Sequence, residues 1–393
     1  MRRALVVAYY TPPLGLSGVM RVTKLCKYLP DHGWEPHILT VEPPAYFQYD
    51  TRLLADLERS VVHRTESLDP ARLLNRMRPR KARLEPAMEQ GKSRGPRFLN
   101  HLLFPDAKAG WRPFALKAGR AIIASEKPEV VFATSPPFTC LDIGLRLARR
   151  FGLPFVADFR DPWPTGFGTP PAISKARLGR FRDRVVESAD AVLAVNAGTA
   201  GKVGAKATVL ENGFDPADFE VEPERHEGFS VVHVGNLWQN DAALRDVVRV
   251  LPEVPDARLY LAGGMEAETR DWVAGQERVE SLGGVDHGRA CRLMKGADVL
   301  LYLGKPKQPV GIKLYEYLGA RRPVLVYGPD TGEAGEIVAE CRAGVRCVDR
   351  EALPECLGTL RGETGTPDDS SLSRFDRSRQ AGRLAELFGR LAG

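Results

Sequence analysis

A loop that contains proline and glycine leads into a predicted helix near Gly311, and this segment carries the most informative charges of the chain. The first free amides of such a helix, at Gly311 and Ile312, act with the helix dipole to attract an anion. Lys313 adds a point charge suited to phosphate. Glu316, about one turn further, can accept hydrogen bonds from hydroxyl groups of the same ligand. A pyrophosphate with a ribose attached fits this arrangement, and the competing interpretation is a surface helix with Lys313 and Glu316 as an i,i+3 pair.

A second cluster of charges, residues 157–163, follows a predicted strand. Asp158 and Asp161 supply carboxylates, Trp163 supplies an aromatic ring, and Arg160 supplies a planar guanidinium that can hold a phosphate. A polar ligand rich in hydroxyl groups suits such a set. The competing interpretation is a salt bridge from Arg160 to Asp158 or Asp161 that pins a loop.

Two glycines, Gly15 and Gly18, lie between the first predicted strand and the first predicted helix. Glycines at this point let a ligand approach the backbone closely, and the helix N-terminus that follows favours anions. The spacing differs from the G-x-G-x-x-G dinucleotide fingerprint, so we infer no NAD site. A tight turn without a ligand is the alternative.

Short apolar runs alternate with helical patterns in the first half of the chain. Val22, Leu25 and Leu29 lie on one face of a predicted helix that ends at Gly33. Residues 46–110 interrupt the pattern with a polar, basic stretch that we interpret as an insertion. Strands are predicted at 5–10, 37–41, 130–133, 154–158, 191–195 and 207–210.

A second series of elements begins near Phe229 after a predicted linker, residues 212–228. An amphipathic spacing predicts a final helix over 374–391. The alternation predicts an α/β protein with two doubly wound parallel-sheet domains, which bind ligands at the carboxyl ends of the strands and between the domains. The strands of the second domain are predicted at 230–234, 257–261, 298–303 and 323–327.

Composition excludes several classes of protein. The chain has 393 residues, of which 43% are hydrophobic and 27% charged, so it is long enough for two or three domains and is neither wholly disordered nor fibrous. Its longest apolar runs fall far below the roughly 18 residues of a membrane-spanning helix. The six cysteines form no C-x-x-C pair, which indicates reduced thiols in a cytoplasm, and we interpret the apolar start as a buried strand rather than a signal peptide.

The net charge of +6 comes largely from residues 72–97, which carry nine Lys or Arg and two acids. No aromatic residues interleave with these charges, so the segment is not typical of nucleic-acid binding. Apolar residues follow at 98–104. Cations beside an apolar face suit a membrane surface with anionic lipids, which predicts peripheral membrane contact through 72–104. A solvated loop and a helix packed on the first domain are the alternative.

Four segments together make the chain resemble glycosyltransferase family 4, whose members are retaining enzymes of the GT-B fold. The opening segments are typical of bacterial members, and the resemblance points to the type that builds cell-envelope glycans or secondary metabolites. It covers nearly the whole chain. The segments are Tyr9-Tyr10-x-Pro12-Pro13-x-Gly15-x-x-Gly18-x-x-Arg21, Tyr28-Leu29-x-x-x-Gly33-Trp34, Ala157-Asp158-Phe159-Arg160-Asp161-Pro162-Trp163 and Glu211-Asn212-Gly213-Phe214-Asp215.

The resemblance implies two Rossmann-like domains that face each other across a cleft. Residues 1–212, joined by the C-terminal helix 374–393, would bind the acceptor, and residues 213–373 would bind a nucleotide-sugar. Gly15, Gly18 and Arg21 would form an acceptor or phosphate loop in the first domain.

The family signature, two glutamates with seven residues between them, is matched in part. Glu316 matches the second glutamate, which binds the nucleotide ribose. The first position holds Gln308, which can still form hydrogen bonds to the donor sugar but has no charge. Lys313 would supply the positive charge that many members place in the loop that is Gly235-Asn236 here. The donor-binding residues so implied are Gly235, Asn236, Val285, Gln308, Gly311, Ile312, Lys313, Leu314 and Glu316.

The implied reaction moves a hexosyl or N-acetylhexosaminyl group from a nucleotide-diphosphate donor, most often a UDP-sugar, to an acceptor hydroxyl. Attack from the face that the diphosphate leaves retains the anomeric configuration, with no protein nucleophile, metal or other cofactor. Arg160, Asp161 and Lys313 are expected at the reaction centre, where Lys313 would stabilise the leaving group.

The acceptor of this reaction would be a saccharide, a lipid-linked molecule or a small metabolite. It would be reached in the cytoplasm or at the inner face of the membrane. Two alternatives stay open: a catalytically silent nucleotide-sugar-binding homologue, and a nucleotide-sugar epimerase of the same fold.

Overall fold

The computed structural model of the protein describes residues 1–15, 17–46, 49–79, 103–161, 163, 172–237, 241–304, 310–362 and 367–393. The chain forms two compact units. The N-terminal unit contains Met1–Glu211 and Ser378–Gly393, and the C-terminal unit contains Asn212–Arg377.

A parallel seven-stranded sheet forms the centre of the N-terminal unit, within the residues described above. The strand order is β3-β2-β1-β4-β5-β6-β7. From β1 the chain adds β2 and β3 on one side and then β4 to β7 on the other, as in a doubly wound fold. The central strands are buried on both faces, which explains their continuous apolar runs. The strands are β1 (Arg2–Val7), β2 (Trp34–Val41), β3 (Val61–Thr65), β4 (Val130–Ser135), β5 (Phe155–Phe159), β6 (Ala191–Ala194) and β7 (Ala207–Val209).

Helices cover both faces of this sheet. Leu5 and Val7 face one apolar core and Ala4 and Val6 face another, as expected from the alternation of side chains along a strand. The helices before the second unit are α1 (Ser17–Tyr28), α2 (Pro70–Met77), α3 (Arg112–Glu126), α4 (Phe138–Phe151), α5 (Ala172–Ser188) and α6 (Ala197–Val203).

The C-terminal unit contains a parallel six-stranded sheet with the order β10-β9-β8-β11-β12-β13. Its strands are β8 (Phe229–Val234), β9 (Ala257–Ala262), β10 (Val279–Gly283), β11 (Val299–Leu303), β12 (Val324–Tyr327) and β13 (Gly344–Cys347). Its helices are α7 (Asp241–Val250), α8 (Ala267–Ala274), α9 (His287–Gly296), α10 (Ile312–Ala320), α11 (Gly332–Glu340), α12 (Leu353–Gly362) and α13 (Asp369–Leu372), and α14 (Arg377–Ala392) follows them.

The predicted fold class, two Rossmann-like parallel-sheet domains, is confirmed. The interpretation of residues 46–110 as an insertion outside the pattern is wrong in part, because β3 and α2 lie there and β3 is an edge strand of the first sheet. Strands β10 and β13 were not predicted. These three are edge strands with mostly exposed or half-buried residues, so they lack the apolar runs that identified the central strands.

The final helix differs from its prediction at its start. It begins at Arg377 rather than at residue 374. Phe375, which falls within the predicted helix, precedes the observed one and packs in the core of the C-terminal unit, with its ring 5.2 Å from that of Tyr315. Leu384 and Phe388 pack against the sheet of the N-terminal unit. Among the residues described, no helix combines the length and hydrophobicity needed to cross a membrane.

Candidate functional site

Helix α10 begins beside the carboxyl end of β11, with Gly311 as its N-cap residue and no side-chain cap. The Gly311 amide donates a hydrogen bond to the Tyr302 hydroxyl over 2.9 Å, so a tyrosine of β11 already engages one of the amides predicted to bind an anion. Ile312 opens the helix and is half-buried. Leu314 is fully buried in the core, so only its backbone can face a ligand.

Lys313 and Glu316 form an ion pair through Nζ and Oε2. The pair is not an ordinary surface pair, because the Glu316 side chain is 7% exposed whereas that of Lys313 is 31% exposed. A buried carboxylate beside a partly exposed ammonium group is costly to desolvate unless both groups have partners. The two groups partner each other, and Lys313, but not Glu316, is among the residues that line the cavity described next.

A cavity of about 200 Å³ lies at the start of α10, within the C-terminal unit. The ends of β8 and β11 and the starts of α10 and α11 contribute its walls. Of the predicted donor-binding residues, Gly235, Asn236, Gly311 and Lys313 come together here. The residues that line it are His233, Val234, Gly235, Asn236, Tyr302, Leu303, Gly304, Val310, Gly311, Lys313, Thr331, Gly332, Glu333 and Ala334.

The loop after β8 forms one wall of this cavity. Gly235 has a backbone φ of +149°, a conformation that residues other than glycine rarely adopt. The Asn236 side-chain oxygen accepts a hydrogen bond from the Gly264 amide over 2.9 Å, which ties this loop to the loop after β9. His233 Nδ1 is 2.9 Å from the Leu301 carbonyl oxygen, so neighbouring strands hold the imidazole at the cavity.

The sequence reasoning missed several residues of this cavity, among them Tyr302, Thr331 and Glu333. One signal could have found them: Tyr302 lies near the end of β11, Thr331 and Glu333 follow the end of β12, and ligands of such folds bind at the carboxyl ends of strands. Val285, one of the predicted donor-binding residues, is half-buried against the core of the unit and does not line the cavity.

His287 at the start of α9 is a charged group that the sequence reasoning also missed. Its Nε2 lies 3.0 Å from Asp218 Oδ2 and 3.7 Å from the Cys291 sulfur. Burial opposes protonation of the imidazole, but the hydrogen bonds to Asp218 and Cys291 and the charge of Glu316 raise the pKa of His287 to about 11. The imidazole is therefore a cation at neutral pH, in the electrostatic range of Glu316.

Arg21 has a different environment from the loop role expected for it. Its guanidinium holds both oxygens of Asp158, at 3.1 and 2.8 Å, and the Glu211 carbonyl at 2.9 Å. The two side chains of the ion pair are 1% and 0% exposed. Thr134 donates a further hydrogen bond to Asp158 over 2.7 Å. Arg21 and Asp158 therefore tie α1 to the sheet, and neither charge faces solvent.

Arg160 is buried and donates hydrogen bonds to the carbonyl oxygens of Gly18 and Pro136. Asp158, one of the two carboxylates in the competing salt-bridge interpretation, pairs with Arg21 instead. Gly18, which the sequence placed in a loop, is the second residue of α1, so Arg160 joins the start of α1 to the segment after β4.

The Asp161 residue is exposed. Desolvation by the atoms around it raises the pKa of its carboxyl, whereas the charge of Arg160 lowers it, and the net shift is upward. Gly15 is buried in the loop that precedes α1.

Two predictions lie outside the described residues: Gln308, and most of the segment 72–104, of which 80–102 is not described. Among the described side chains, no group of three or more His, Cys, Asp or Glu is arranged to hold a metal ion.

Two family profiles match the chain in succession. The one described as "Glycosyl transferase 4-like domain" matches residues 18–213. The one described as "Glycosyl transferases group 1" matches residues 228–361. Together they cover most of both units. No curated protein sequence matches the chain.

Several solved structures are similar to the chain over its whole length. HepE of Anabaena in complex with UDP and glucose shares 14% identity with a TM-score of 0.64, covering 100% of both chains. Sucrose-phosphate synthase of Thermosynechococcus elongatus shares 15% identity with a TM-score of 0.65, covering 100% of this chain and 99% of the other. UDP-GlcNAc 2-epimerase of Methanocaldococcus jannaschii shares 12% identity with a TM-score of 0.55, covering 99% of this chain and 100% of the other. At these identities the likeness establishes the fold alone.

Proposed function

Because the chain belongs to the family 4-like glycosyltransferases of the GT-B fold, we propose that it transfers a sugar from a UDP-sugar to an acceptor hydroxyl with retention of configuration. The observation that carries this proposal is the cavity of the C-terminal unit, where the Gly235-Asn236 loop, the start of α10 and Lys313 meet beside the buried Glu316. UDP as the nucleotide follows the complexes of HepE with UDP and with UDP-glucose.

In the proposed reaction the glycosidic bond to the diphosphate breaks as the acceptor hydroxyl attacks the same face of the sugar and gives its proton to the departing diphosphate oxygen. The departing diphosphate gathers negative charge, which Lys313 and the first amides of α10 would stabilise. Glu316 would accept hydrogen bonds from the ribose hydroxyls. The proposal assigns no protein nucleophile and no metal, since the lysine and the helix start supply positive charge at the leaving group. The transferred group would be a hexosyl or N-acetylhexosaminyl unit.

The proposal is tested by calorimetric titration of the protein with UDP, GDP and ADP. UDP should bind, and Glu316→Ala should weaken its binding by about 1–3 kcal/mol, the usual cost of losing a charged hydrogen-bond partner. Glu351→Ala, which removes an exposed glutamate of the same unit, is the matched control and should leave the affinity unchanged. If no nucleotide binds, or if Glu316→Ala binds UDP as tightly as the wild type, the proposed donor site is wrong.

Two other activities are separated by turnover of the donor. An epimerase, suggested by the fold of the Methanocaldococcus enzyme, would interconvert UDP-sugars without any acceptor, and NMR of UDP-GlcNAc alone would detect the new sugar. A silent homologue would bind UDP but consume no donor with any acceptor offered. A glycosyltransferase would release UDP only when an acceptor, or slowly water, takes the sugar.

We further propose that the protein acts at an anionic membrane surface on the cytoplasmic side, where a lipid-linked acceptor would be within reach. The observation in support is α2, which exposes Leu73, Leu74 and Met77 with exposed fractions of 39%, 40% and 85%. Arg76 and Arg78 lie at the same end of this helix. An apolar face beside cations suits an anionic bilayer, because the apolar side chains can enter the acyl-chain region while the cations bind the anionic headgroups.

Sedimentation with phospholipid vesicles tests this membrane contact. The protein should sediment with vesicles containing phosphatidylglycerol and not with pure phosphatidylcholine, and Leu73→Glu combined with Met77→Glu should abolish the effect. Leu54→Glu changes another exposed leucine of the same unit and serves as the control. Equal sedimentation with both kinds of vesicle would refute the electrostatic part of the proposal.

A further inference from the structure

Two side chains of opposite charge line the cavity of the C-terminal unit. Among its lining residues that the structure describes, Glu333 is the one carboxylate and Lys313 is the one lysine or arginine. Glu333 lies in the first turn of α11, whereas Lys313 lies in the first turn of α10. The cavity therefore offers the charge of Lys313 to an anionic part of a ligand and the carboxylate of Glu333 to a hydrogen-bond-donating part.

The loops after β11 and β12 explain why α11 reaches this cavity. A side chain at Gly304 would lie 2.8 Å from the Asp330 carbonyl oxygen, and one at Gly328 would lie 2.9 Å from the Gly304 carbonyl oxygen. The two loops thus pack backbone against backbone, and only glycine allows the close approach. The Asp330 side-chain oxygen accepts a hydrogen bond from the Gly332 amide over 3.0 Å. This turn leads directly into α11, whose first turn places Glu333 at the cavity.

Tyr302 adds a second polar group to the same space. Its hydroxyl oxygen accepts the Gly311 amide proton, so the hydroxyl's own proton is directed elsewhere and can be donated. Burial raises the pKa of Tyr302, with a further contribution from Glu333, so the group is a phenol at neutral pH. A volume of about 200 Å³ is smaller than the roughly 300–1,000 Å³ of sites that enclose a whole ligand, and it suits a part of one, such as a sugar with its phosphates.

We propose that Glu333 is the carboxylate that binds the donor sugar in this protein. It would accept hydrogen bonds from neighbouring sugar hydroxyls, the part that a glutamate at the position of Gln308 plays in the family that the chain resembles. Its negative charge favours a neutral, hydroxyl-rich sugar over a uronic acid, because the carboxylate of Glu333 would repel a second carboxylate in this small cavity. This inference rests on the proposed donor site and deepens it.

The test compares UDP, which lacks the sugar, with UDP-sugars. Affinities of the wild type, Glu333→Gln and Glu333→Ala are measured by calorimetry for UDP, UDP-glucose, UDP-GlcNAc and UDP-glucuronate. For the neutral UDP-sugar that the wild type binds best, Glu333→Ala should lose about 10-fold or more in affinity, the effect of one charged hydrogen-bond partner. Affinity for UDP should change less than about twofold in the same variant.

Sugar preference separates a binding role of Glu333 from a merely structural one. Glu333→Gln should bind UDP-glucuronate more tightly than the wild type does, while its affinity for the neutral UDP-sugar falls. Glu336→Gln, an exposed glutamate one turn further along α11, removes the same charge outside the cavity and should behave as the wild type does.

Two results would overturn the inference, and they differ from each other. If UDP and UDP-sugars bind but Glu333→Ala weakens all of them equally, or none, the donor site stands and Glu333 does not bind the sugar. If the wild type binds neither UDP nor any UDP-sugar, the proposed function fails together with the inference.

Discussion

Replacing Arg21 by methionine distinguishes a structural role of this residue from the ligand-binding role that the sequence suggested. The variant keeps a side chain of similar length but removes a guanidinium with three hydrogen bonds, two to Asp158 and one to the Glu211 carbonyl. Asp158 would keep the Thr134 hydroxyl as a hydrogen-bond donor, and its charge would remain buried with 0% of the side chain exposed.

The expected loss of stability follows from this geometry. Breaking a buried ion pair on one side costs about 3–5 kcal/mol, since the remaining charge is left without its counterion. Such a loss is a large part of the roughly 5–15 kcal/mol that stabilises a typical domain. Arg21→Met combined with Asp158→Asn should recover much of the loss, because the second change removes the uncompensated charge while it keeps an acceptor for Thr134.

Hydrogen exchange measured by mass spectrometry across a urea series is the appropriate assay, because it reports the two units separately where a single unfolding curve would mix them. Peptides of β1, β4 and β5 should lose protection in Arg21→Met, and peptides of the C-terminal unit should not. A loss below about 1 kcal/mol in the N-terminal unit would refute the reasoning. If that small loss came with failure to use an acceptor, the original interpretation of Arg21 as a ligand-loop residue would be favoured.

Three further predictions address the two units. Lys313→Met should weaken UDP binding by about 10-fold or more and make it less sensitive to salt, as calorimetry at two ionic strengths would show, because one cation at the diphosphate is removed. Phe388→Ala should destabilise the N-terminal unit by about 3–5 kcal/mol in the same exchange assay, since its fully buried ring packs 5.3 Å from that of Trp34, and an unchanged unit would contradict the packing of α14. The His287 pKa of about 11 lies above its ordinary value of 6.5, so the stabilising effect of its proton is complete below about pH 6.5 and is lost as the pH rises through 11. His287→Gln should flatten the decline in stability of the C-terminal unit between pH 7 and 9, and an unchanged slope would contradict the pairing with Asp218.

The fold was predictable where strands are buried on both faces. The predicted strands at 130–133 and 257–261 lie within β4 and β9, because a central parallel strand needs an unbroken apolar run. The edge strands β3, β10 and β13 escaped prediction, since one side of each lacks a partner and their residues are partly exposed. Their pairing is decided by the neighbouring strand rather than by their own sequence.

The candidate site was predictable where it is built locally. Gly311, Lys313 and Glu316 lie within six residues of the chain, and the helix period alone places the last two on one face. Leu314 illustrates the limit of this reasoning, because its side chain lies in the core and not in the cavity.

The sequence by itself determined two doubly wound units, the strand-helix alternation and a helix start that brings a lysine and a glutamate together, since each depends on residues that are neighbours along the chain. The tertiary structure alone decided which distant groups meet. Arg21 pairs with Asp158 across 137 residues, and the fold buries both charges. Glu333 and Lys313 share a cavity because two glycine loops pack against each other. Such meetings depend on strand order and loop packing, which arise only when the sheets assemble.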